Sequence, residues 1–293
     1  MTGRSPGRSA ERILRACLLF AACFSTRLAA QSTARVDSFY STSVHATVRF
    51  AYILPSSLHQ SAHYPVLYLL HGHSGDYLDW STRTGISRYV RDLPVIVIMP
   101  DGKNSWYVNS VTNSSDRYED YLINDLPKYV QSRFPVDTTR QGIAGLSMGG
   151  DGALVLAMRY PGRFRFAGSL SGAITVPHLN ADTSSFAVKY TSPSLIAAFG
   201  TRHLPFWDEH DVFDLFPRLE QTPAPYLYLS IGSQDGFRDF VPAHHRLIDS
   251  LRTHNIAFEY HETPGGHSWK FWDREIQPLL KKMTEIFDVG TTH

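Results

Sequence analysis

The residues best suited to chemistry lie in the stretch Gly145–Gly149, with the sequence GLSMG. A serine on a tight turn between a strand and a helix has strained backbone geometry, and a side chain at either flanking glycine would collide with those elements. The turn presents its hydroxyl at a helix N-terminus, where N–H groups favour developing negative charge. The pattern alone arises by chance in about one chain in ten of this length. The apolar run before it and the helical pattern from Asp151 carry the prediction that Ser147 is a nucleophile.

A serine nucleophile needs a base, and the base needs an acid that orients it. The strand-like run Tyr226–Ile231 ends in a glycine-rich loop that carries Asp235, and a later Gly-Gly loop carries His267 just before the last helical pattern. Serine, then aspartate, then histidine is a known chain order for such triads. We therefore predict Asp235 as the acid and His267 as the base, with Asp239 as the nearest competitor for the acid.

The tetrahedral intermediate of acyl transfer needs two N–H donors. We predict the backbone N–H of Met148, directly after the serine, and that of His73, in the loop after the apolar run 65–70. His71 and His73 have the spacing of a metal pair, but no third ligand accompanies them, so we expect His71 to order its loop. The acidic cluster 208–211 could ligate calcium or zinc, yet acids at a helix start account for it. We predict no metal and no cofactor.

The composition fits one large catalytic domain. The chain has 293 residues, of which 43% are hydrophobic, so it can bury a substantial core. A formal net charge of +1 gives no electrostatic footprint for nucleic acid, and we expect no such partner. Because we find no internal repeat and no linker, we predict a single domain over residues 36–288.

Residues 1–30 read as a secretory signal peptide. They contain an arginine-rich start, the apolar run Ala16–Phe24 and a small-residue exit, which predict cleavage after Ala30. The run is shorter than the ~20 residues needed to span a bilayer, so we expect no stable membrane span. Lipoprotein processing at Cys23 is the alternative. Cys17 and Cys23 both lie in this leader, so a secreted or periplasmic mature chain would have no thiol.

The remaining pattern alternates strands with helices. Residues 36–53 alternate in polarity like an antiparallel sheet edge, whereas Pro65–Leu70 and Pro94–Met99 are apolar throughout, as in parallel strands buried on both faces. Further strand candidates are Arg165–Leu170, Tyr226–Ile231 and Ala257–His261. Helical patterns cover Tyr77–Tyr89 with a break at Gly85, Arg117–Phe134, Asp151–Tyr160, Asp239–His254 and Trp269–Phe287.

This order predicts an α/β fold with a doubly wound, mostly parallel sheet and helices on both faces. The stretch Ala173–Pro225, called here the cap segment, is the least regular part of the chain. It is rich in aromatic residues, and we expect it to pack over the carboxyl ends of the strands as a wall of the active site.

With these motifs placed, the chain resembles the esterase D-like branch of the α/β hydrolases. That branch includes S-formylglutathione hydrolases, feruloyl and acetyl-xylan esterases, tributyrin-type esterases and mycolyl transferases. The matching segments are Leu67–Gly72 followed by Trp80, then Met99–Gly102, Tyr118–Leu122, Gly145–Gly150 and Gly266–Trp272. They span nearly the whole chain in order after the leader.

The resemblance implies the α/β-hydrolase fold, the triad Ser147, Asp235 and His267, and the donors His73 and Met148. It also implies that the stretch 104–107 lies beside the acyl or alcohol pocket. Our candidate substrate-binding residues are Trp106, Tyr107 and Trp269. The aromatic stretch 199–216 departs from the family pattern and leaves the shape of the pocket open.

We therefore predict a secreted serine carboxylesterase for short-chain acyl or feruloyl-type esters, free or linked to polysaccharide. The export signal argues against a cytosolic glutathione thioester as substrate. Two alternatives remain open: an acyltransferase that moves the acyl group to a sugar or lipid alcohol, and a non-catalytic carbohydrate-binding protein on a hydrolase scaffold. The second alternative requires a broken triad, and no member is missing from this sequence.

Overall fold

A computed structural model of the chain describes residues 33–59, 61–175, 186–201, 205–221 and 223–288. The predicted leader, its cleavage position after Ala30 and both cysteines lie outside these residues. Within the described part of the chain, every helix falls short of the length and apolarity that crossing a membrane requires.

Eight strands of the described residues form one sheet in the order β1-β2-β4-β3-β5-β6-β7-β8. The strands are β1 Arg35–Ser41, β2 Ala46–Ile53, β3 Tyr64–Leu70, β4 Ile96–Pro100, β5 Val136–Leu146, β6 Phe166–Leu170, β7 Tyr226–Gly232 and β8 Phe258–Thr263. β2 pairs antiparallel with both β1 and β4, and all other pairs are parallel. The predicted antiparallel edge and mostly parallel sheet are both confirmed.

Burial explains why the central strands lack alternation in the sequence. Every residue of β3 and of β4 is buried. Along β3, Val66, Tyr68 and Leu70 join the core on one face of the sheet, whereas Leu67 and Leu69 join the core on the other face. Both faces are therefore covered, as the sequence predicts.

Helices form the two outer layers. They are α1 Asp79–Arg83, α2 Ile86–Tyr89, α3 (Tyr118–Asp120, a π-helical turn Tyr121–Asp125 and Leu126–Arg133), α4 Met148–Arg159, α5 Phe186–Phe199, α6 Pro205–Asp208, α7 Val212–Leu215, α8 Phe240–Thr253 and α9 Trp269–Ile286. Helices α3, α4 and α8 contribute to one core, and α1, α2 and α9 to the other. The predicted break at Gly85 is confirmed, since this glycine is the N-cap of α2.

Three helical features differ from the sequence predictions. The cap segment contains the 14-residue helix α5, which we did not predict, because an internal Pro193 and a poor apolar period hide it. The helical pattern 117–134 gave no sign of the π-helical turn within it. Helix α4 begins at Met148, before the predicted start at Asp151, since the turn geometry overrides the low helix propensity of its glycines.

A buried ionic cluster connects the cap segment to helices α3 and α4. Glu119 of α3 is 1% exposed and accepts hydrogen bonds from Arg159 Nε at 2.9 Å and from Tyr160 Oη at 2.7 Å. His210 Nε2 lies 3.0 Å from the other carboxylate oxygen of Glu119. Burial opposes ionisation, but the hydrogen bond and charge of His210, aided by Arg159, outweigh it and lower the pKa of Glu119 to about 2.

The acidic cluster 208–211 has ordinary structural roles. Asp211 is the N-cap of α7 and accepts a hydrogen bond from the Phe213 N–H at 2.8 Å, so the predicted helix-start role is confirmed. His210 faces Glu119 instead of joining its acidic neighbours around a cation.

His244 of α8 is fully buried and neutral. Its Nδ1 lies 2.8 Å from the Phe240 carbonyl oxygen and therefore donates, which leaves Nε2 as an acceptor without a hydrogen-bond partner. Burial lowers the pKa of His244 to about 4, because the imidazolium would lose its hydration.

This buried histidine makes stability depend on pH. The folded pKa lies below the unfolded value of about 6.5, so the stability contributed by neutral His244 is present above about pH 6.5 and is lost as pH falls towards 4. Between pH 7 and pH 4 we expect the wild type to lose about 3 kcal/mol more free energy of unfolding than His244→Leu, measured by urea denaturation. The exposed His59→Gln control should track the wild type. Equal losses in wild type and His244→Leu would contradict the prediction.

Candidate active site

Ser147 occupies a strained turn between β5 and α4. Its backbone has φ 52° and ψ −119°, in the region that side chains rarely adopt. Two hydrogen bonds hold the turn: the Ser147 N–H donates to the Leu170 carbonyl at 3.0 Å, and the Ser147 carbonyl accepts from the Ala173 N–H at 3.0 Å. The last residue of β6 and the loop after it therefore fix the backbone of Ser147.

The two flanking glycines are required by contact. A Cβ at Gly145 would collide with the Gly149 carbonyl oxygen, and a Cβ at Gly149 would collide with the backbone carbonyls of Leu70 and His71. The predicted clash with the neighbouring strand and helix is thus confirmed.

The structure brings Ser147, His267 and Asp235 into one hydrogen-bonded chain. His267 Nε2 lies 2.9 Å from Ser147 Oγ, and His267 Nδ1 lies 2.9 Å from Asp235 Oδ2. The Asp235 side chain is 0% exposed and that of His267 15% exposed. The second oxygen of Asp235 accepts the Phe237 N–H at 3.0 Å, so both oxygens of the buried carboxylate have a hydrogen-bond partner. The competitor Asp239 is exposed at the N-cap of α8.

The loops that carry Asp235 and His267 are hydrogen-bonded to each other. Gln234 donates its N–H to the Gly265 carbonyl at 2.9 Å and accepts the Gly265 N–H on Oε1 at 2.8 Å. A Cβ at Gly232 would run into the Gly265 carbonyl oxygen, and Gly265 has φ +152°. Close backbone approach at the ends of β7 and β8 therefore sets the spacing between Asp235 and His267.

Aromatic rings hold the imidazole of His267 on several sides. Phe237, Phe240 and Trp272 lie edge-on to it, with ring centroids at 4.6, 5.7 and 4.9 Å. Trp269, a candidate substrate-binding residue, packs against Trp272 at 5.2 Å and so lies one ring away from the base. Its role in substrate binding stays a prediction.

The loop after β3 passes directly beside the nucleophile. A Cβ built on Gly72 would lie 3.4 Å from Ser147 Cβ, so the residue before His73 is in close contact with Ser147. The His73 ring contacts Ser194 Oγ of α5 through Nε2 at 2.9 Å, and burial lowers its pKa, with a further contribution from His71. The role of the two N–H groups as oxyanion donors stays a prediction.

His71 orders this loop. The Gly102 N–H donates to His71 Nε2 at 2.9 Å, so the ring proton is on Nδ1 and points to the Gly72 carbonyl at 2.8 Å. Tyr107 Oη donates to the His71 carbonyl at 2.8 Å. Among the described residues, no group of three or more acidic, histidine or cysteine side chains could hold a metal ion.

Trp106 and Tyr107 support the site from a strained loop. Both have left-handed backbones, with φ 55° and 60°, and both are buried. Tyr107 fits so closely against α4 that a Cβ at Gly152 would lie 2.7 Å from its ring. Trp106 Nε1 donates to Ser194 Oγ at 3.0 Å. The sequence did not point to Ser194, because its helix has no recognisable pattern and the residue belongs to no motif.

A polar cavity of about 240 Å³ adjoins this loop and α5. Its lining side chains offer both hydrogen-bond donors and acceptors: Lys103, Asn104, Ser105, Ser110, Asp116, Tyr118 and Ser194, with Ala197 and Ala198. Since Ser194 also contacts His73, the cavity lies next to the predicted oxyanion loop.

Comparisons with known proteins agree with this geometry. A family model described as "Putative esterase" matches residues 41–283 of the chain. An acetyl esterase of Caldicellulosiruptor saccharolyticus is 29% identical over 227 residues, which cover 76% of this chain and 84% of that protein. The diacylglycerol acyltransferase/mycolyltransferase Ag85C of Mycobacterium avium is 28% identical over 255 residues, which cover 77% of this chain and 72% of that protein.

Among solved structures, the chain is similar to substrate-bound FphF, a fluorophosphonate-binding serine hydrolase of Staphylococcus aureus. The TM-score is 0.72 and the identity 26%, covering 86% of this chain and 98% of that one. With residues 41–283 matched, the chain belongs to the esterase family of that description, within the esterase D-like branch of the α/β hydrolases, and is a serine hydrolase that acts on carboxylic esters.

Proposed function

We propose that the protein is a secreted carboxylesterase that hydrolyses short-chain acyl or feruloyl-type esters through an acyl-enzyme on Ser147. The observation that carries this proposal is the unbroken chain from Ser147 Oγ through both nitrogens of His267 to Asp235, with 2.9 Å at each step. Each contact is within the reach that proton transfer between nucleophile and base requires.

The chemistry follows from this arrangement. Ser147 Oγ attacks the ester carbonyl carbon while His267 Nε2 takes its proton, and the N–H groups of Met148 and His73 donate to the oxygen that becomes negative. The carbon–oxygen bond to the alcohol then breaks, and the alcohol leaves with the proton from His267. Water next gives a proton to His267 and attacks the acyl-enzyme, which releases the carboxylic acid and returns the proton to Ser147. Asp235 stabilises the imidazolium in both halves.

Substrate class and location rest on separate observations. The relative named acetyl esterase supports a small acyl group, and the aromatic residues around the site support a pocket that also accepts a cinnamoyl ring. The arginine-rich start, apolar run and small-residue exit of residues 1–30 support export with cleavage after Ala30.

Loss of the nucleophile should abolish turnover. We expect Ser147→Ala to reduce kcat/KM by at least ~10³-fold on p-nitrophenyl acetate through decanoate and on methyl ferulate, because no acyl-enzyme can form. Initial rates of the purified protein measure this, with Ser132→Ala, an exposed serine of α3, as the matched control. Undiminished activity in Ser147→Ala would instead support a non-catalytic, carbohydrate-binding role for this site.

The acid is tested by a pair of aspartate variants. Asp235→Asn should lower kcat by about 10³- to 10⁴-fold, because an amide can stabilise the wrong imidazole tautomer and cannot stabilise imidazolium. Asp239→Asn, four residues away and exposed, should stay within about twofold of the wild type. The reverse result would move the acid from Asp235 to Asp239.

Acyl transfer to an alcohol is the second candidate, and the polar cavity favours it. Lys103 and Asp116 bring opposite charges to a lining that also has hydroxyl and amide groups and the apolar side chains of Ala197 and Ala198. This mixture suits an uncharged polyol, with its hydroxyl groups and C–H faces, as acceptor or leaving group. The similarity to the mycobacterial acyltransferase gives this candidate a second support.

Product analysis separates the two candidates. With p-nitrophenyl acetate and added glucose or glycerol, the esterase proposal expects free acetate to form faster than any new ester, because water reaches the acyl-enzyme. Formation of new ester faster than acetate, together with its loss in Lys103→Met, would identify the protein as a transferase that binds the acceptor in the cavity. The ratio is measured by chromatography of both products over time.

A further inference from the structure

One hydroxyl of helix α5 connects two loops of the active site. Ser194 Oγ lies 2.9 Å from His73 Nε2 and accepts the indole N–H of Trp106 at 3.0 Å. These partners are 121 and 88 positions away in the chain, on the loops after β3 and after β4. Ser194 is therefore a contact through which the described part of the cap segment reaches the predicted oxyanion loop.

The oxyanion loop has little freedom apart from this contact. Directly after His73, Ser74 has a left-handed backbone with φ 63°, and its N–H donates to Asn104 Oδ1 at 2.6 Å. On the other side of His73, Gly72 lies against Ser147 and Leu146. The His73 ring is bonded at both nitrogens: Nδ1 lies 3.1 Å from Ser74 Oγ of the same loop, and Nε2 lies 2.9 Å from Ser194 Oγ of α5. Ser194 is therefore a contact from outside the loop that bears on the orientation of His73.

Trp106 also depends on an external contact. Its left-handed backbone, with φ 55°, carries a conformational cost that surrounding contacts must offset. The hydrogen bond from Trp106 to Ser194 provides one such contact. The next residue, Tyr107, donates a hydrogen bond to the His71 carbonyl and so connects the loop after β4 to the loop after β3. The two loops and α5 thus brace one another around the site.

We propose that Ser194 is a positioning residue for the reaction: through His73 it holds the oxyanion N–H in the orientation that the tetrahedral intermediate needs. This inference rests on the proposed function, because it takes the His73 N–H as an oxyanion donor. Ser194 acts on the transition state through His73 and, by way of Trp106, through the neighbouring loop.

Helix α5 has other attachments that do not pass through Ser194. Ser110 and Thr112 donate hydroxyl hydrogen bonds to the Ala197 carbonyl at 2.6 and 2.5 Å, and the Val111 N–H donates to the Ala198 carbonyl at 3.0 Å. Ser194→Ala removes one oxygen and introduces the residue with the best helix propensity. The helix should therefore stay in place in this variant.

The test compares Ser194→Ala with Thr112→Val, which removes a hydroxyl contact to the same helix, lies outside the lining of the cavity and leaves His73 untouched. We expect Ser194→Ala to lower kcat on p-nitrophenyl acetate about tenfold with KM within about twofold, since a misplaced donor weakens only the transition state. The affinity for a boronic acid that mimics the tetrahedral intermediate should fall by the same factor. Thr112→Val should change neither quantity by more than about twofold.

A second pair keeps the test independent of folding. Ser194→Thr retains the hydroxyl, and the adjoining cavity has room for its methyl group. Ser194→Val introduces a side chain of the same shape as threonine but without the hydroxyl. We expect Thr to restore kcat to within about threefold of the wild type and Val to resemble Ala. If Ser194→Ala does not fold, this pair decides.

Two results would overturn the inference. One is a Ser194→Ala or Ser194→Val enzyme with wild-type kcat and boronic-acid affinity. The other is an equal loss in Ser194→Ala and Thr112→Val, which would mean that α5 matters only as a packed element. In either case an inactive Ser147→Ala would leave the esterase mechanism standing, whereas an active Ser147→Ala would remove the proposed function itself.

Discussion

The left-handed backbone of Ser147 is the constraint on which the rest of the site depends. A non-glycine residue at φ 52° is stable only when its surroundings determine it. Here the buried strand β5 arrives from one side, α4 leaves on the other, and the loop after β6 bonds both polar groups of the serine backbone. Glycine is required on either side of Ser147, because the turn brings these positions so close to β3 that a Cβ there would collide with it.

Parallel topology then brings the partners of the serine to it. Strands β5, β7 and β8 run in the same direction, so the residues that follow their carboxyl ends gather at one edge of the sheet. In the sheet, β4 lies on one side of β3 and β5 lies on the other, so the order in which strands are added reverses between β3 and β5. This switch point places the His73 loop beside the Ser147 turn. A fully buried carboxylate at Asp235 is acceptable there because a histidine and a backbone N–H both bond it.

Features encoded locally could be predicted from the sequence. Apolar runs predicted β3 and β4, and the flanking glycines predicted the turn at Ser147. A buried strand that ends in a polar loop pointed to Asp235. Features that depend on distant partners could not be predicted in this way. Helix α5 lacks a clear period, and Glu119 gains its meaning only from Arg159, Tyr160 and His210, which are 40 or more positions away. Ser194 belongs to this second group.

The distribution of strain explains why those distant contacts matter. Ser74, Trp106, Tyr107 and Ser147 all have left-handed backbones, and each is bonded by an element other than its own. A large core absorbs several such costs of order 1–3 kcal/mol, but the direction of each peptide group is set by the contact that holds it. In the proposed mechanism the oxyanion is met by donors in fixed directions, so a hydrogen bond from the cap segment to His73 would add to the accuracy of the site beside the triad. The proposal for Ser194 thus gives α5, a helix without a clear apolar period, a part in the catalytic geometry.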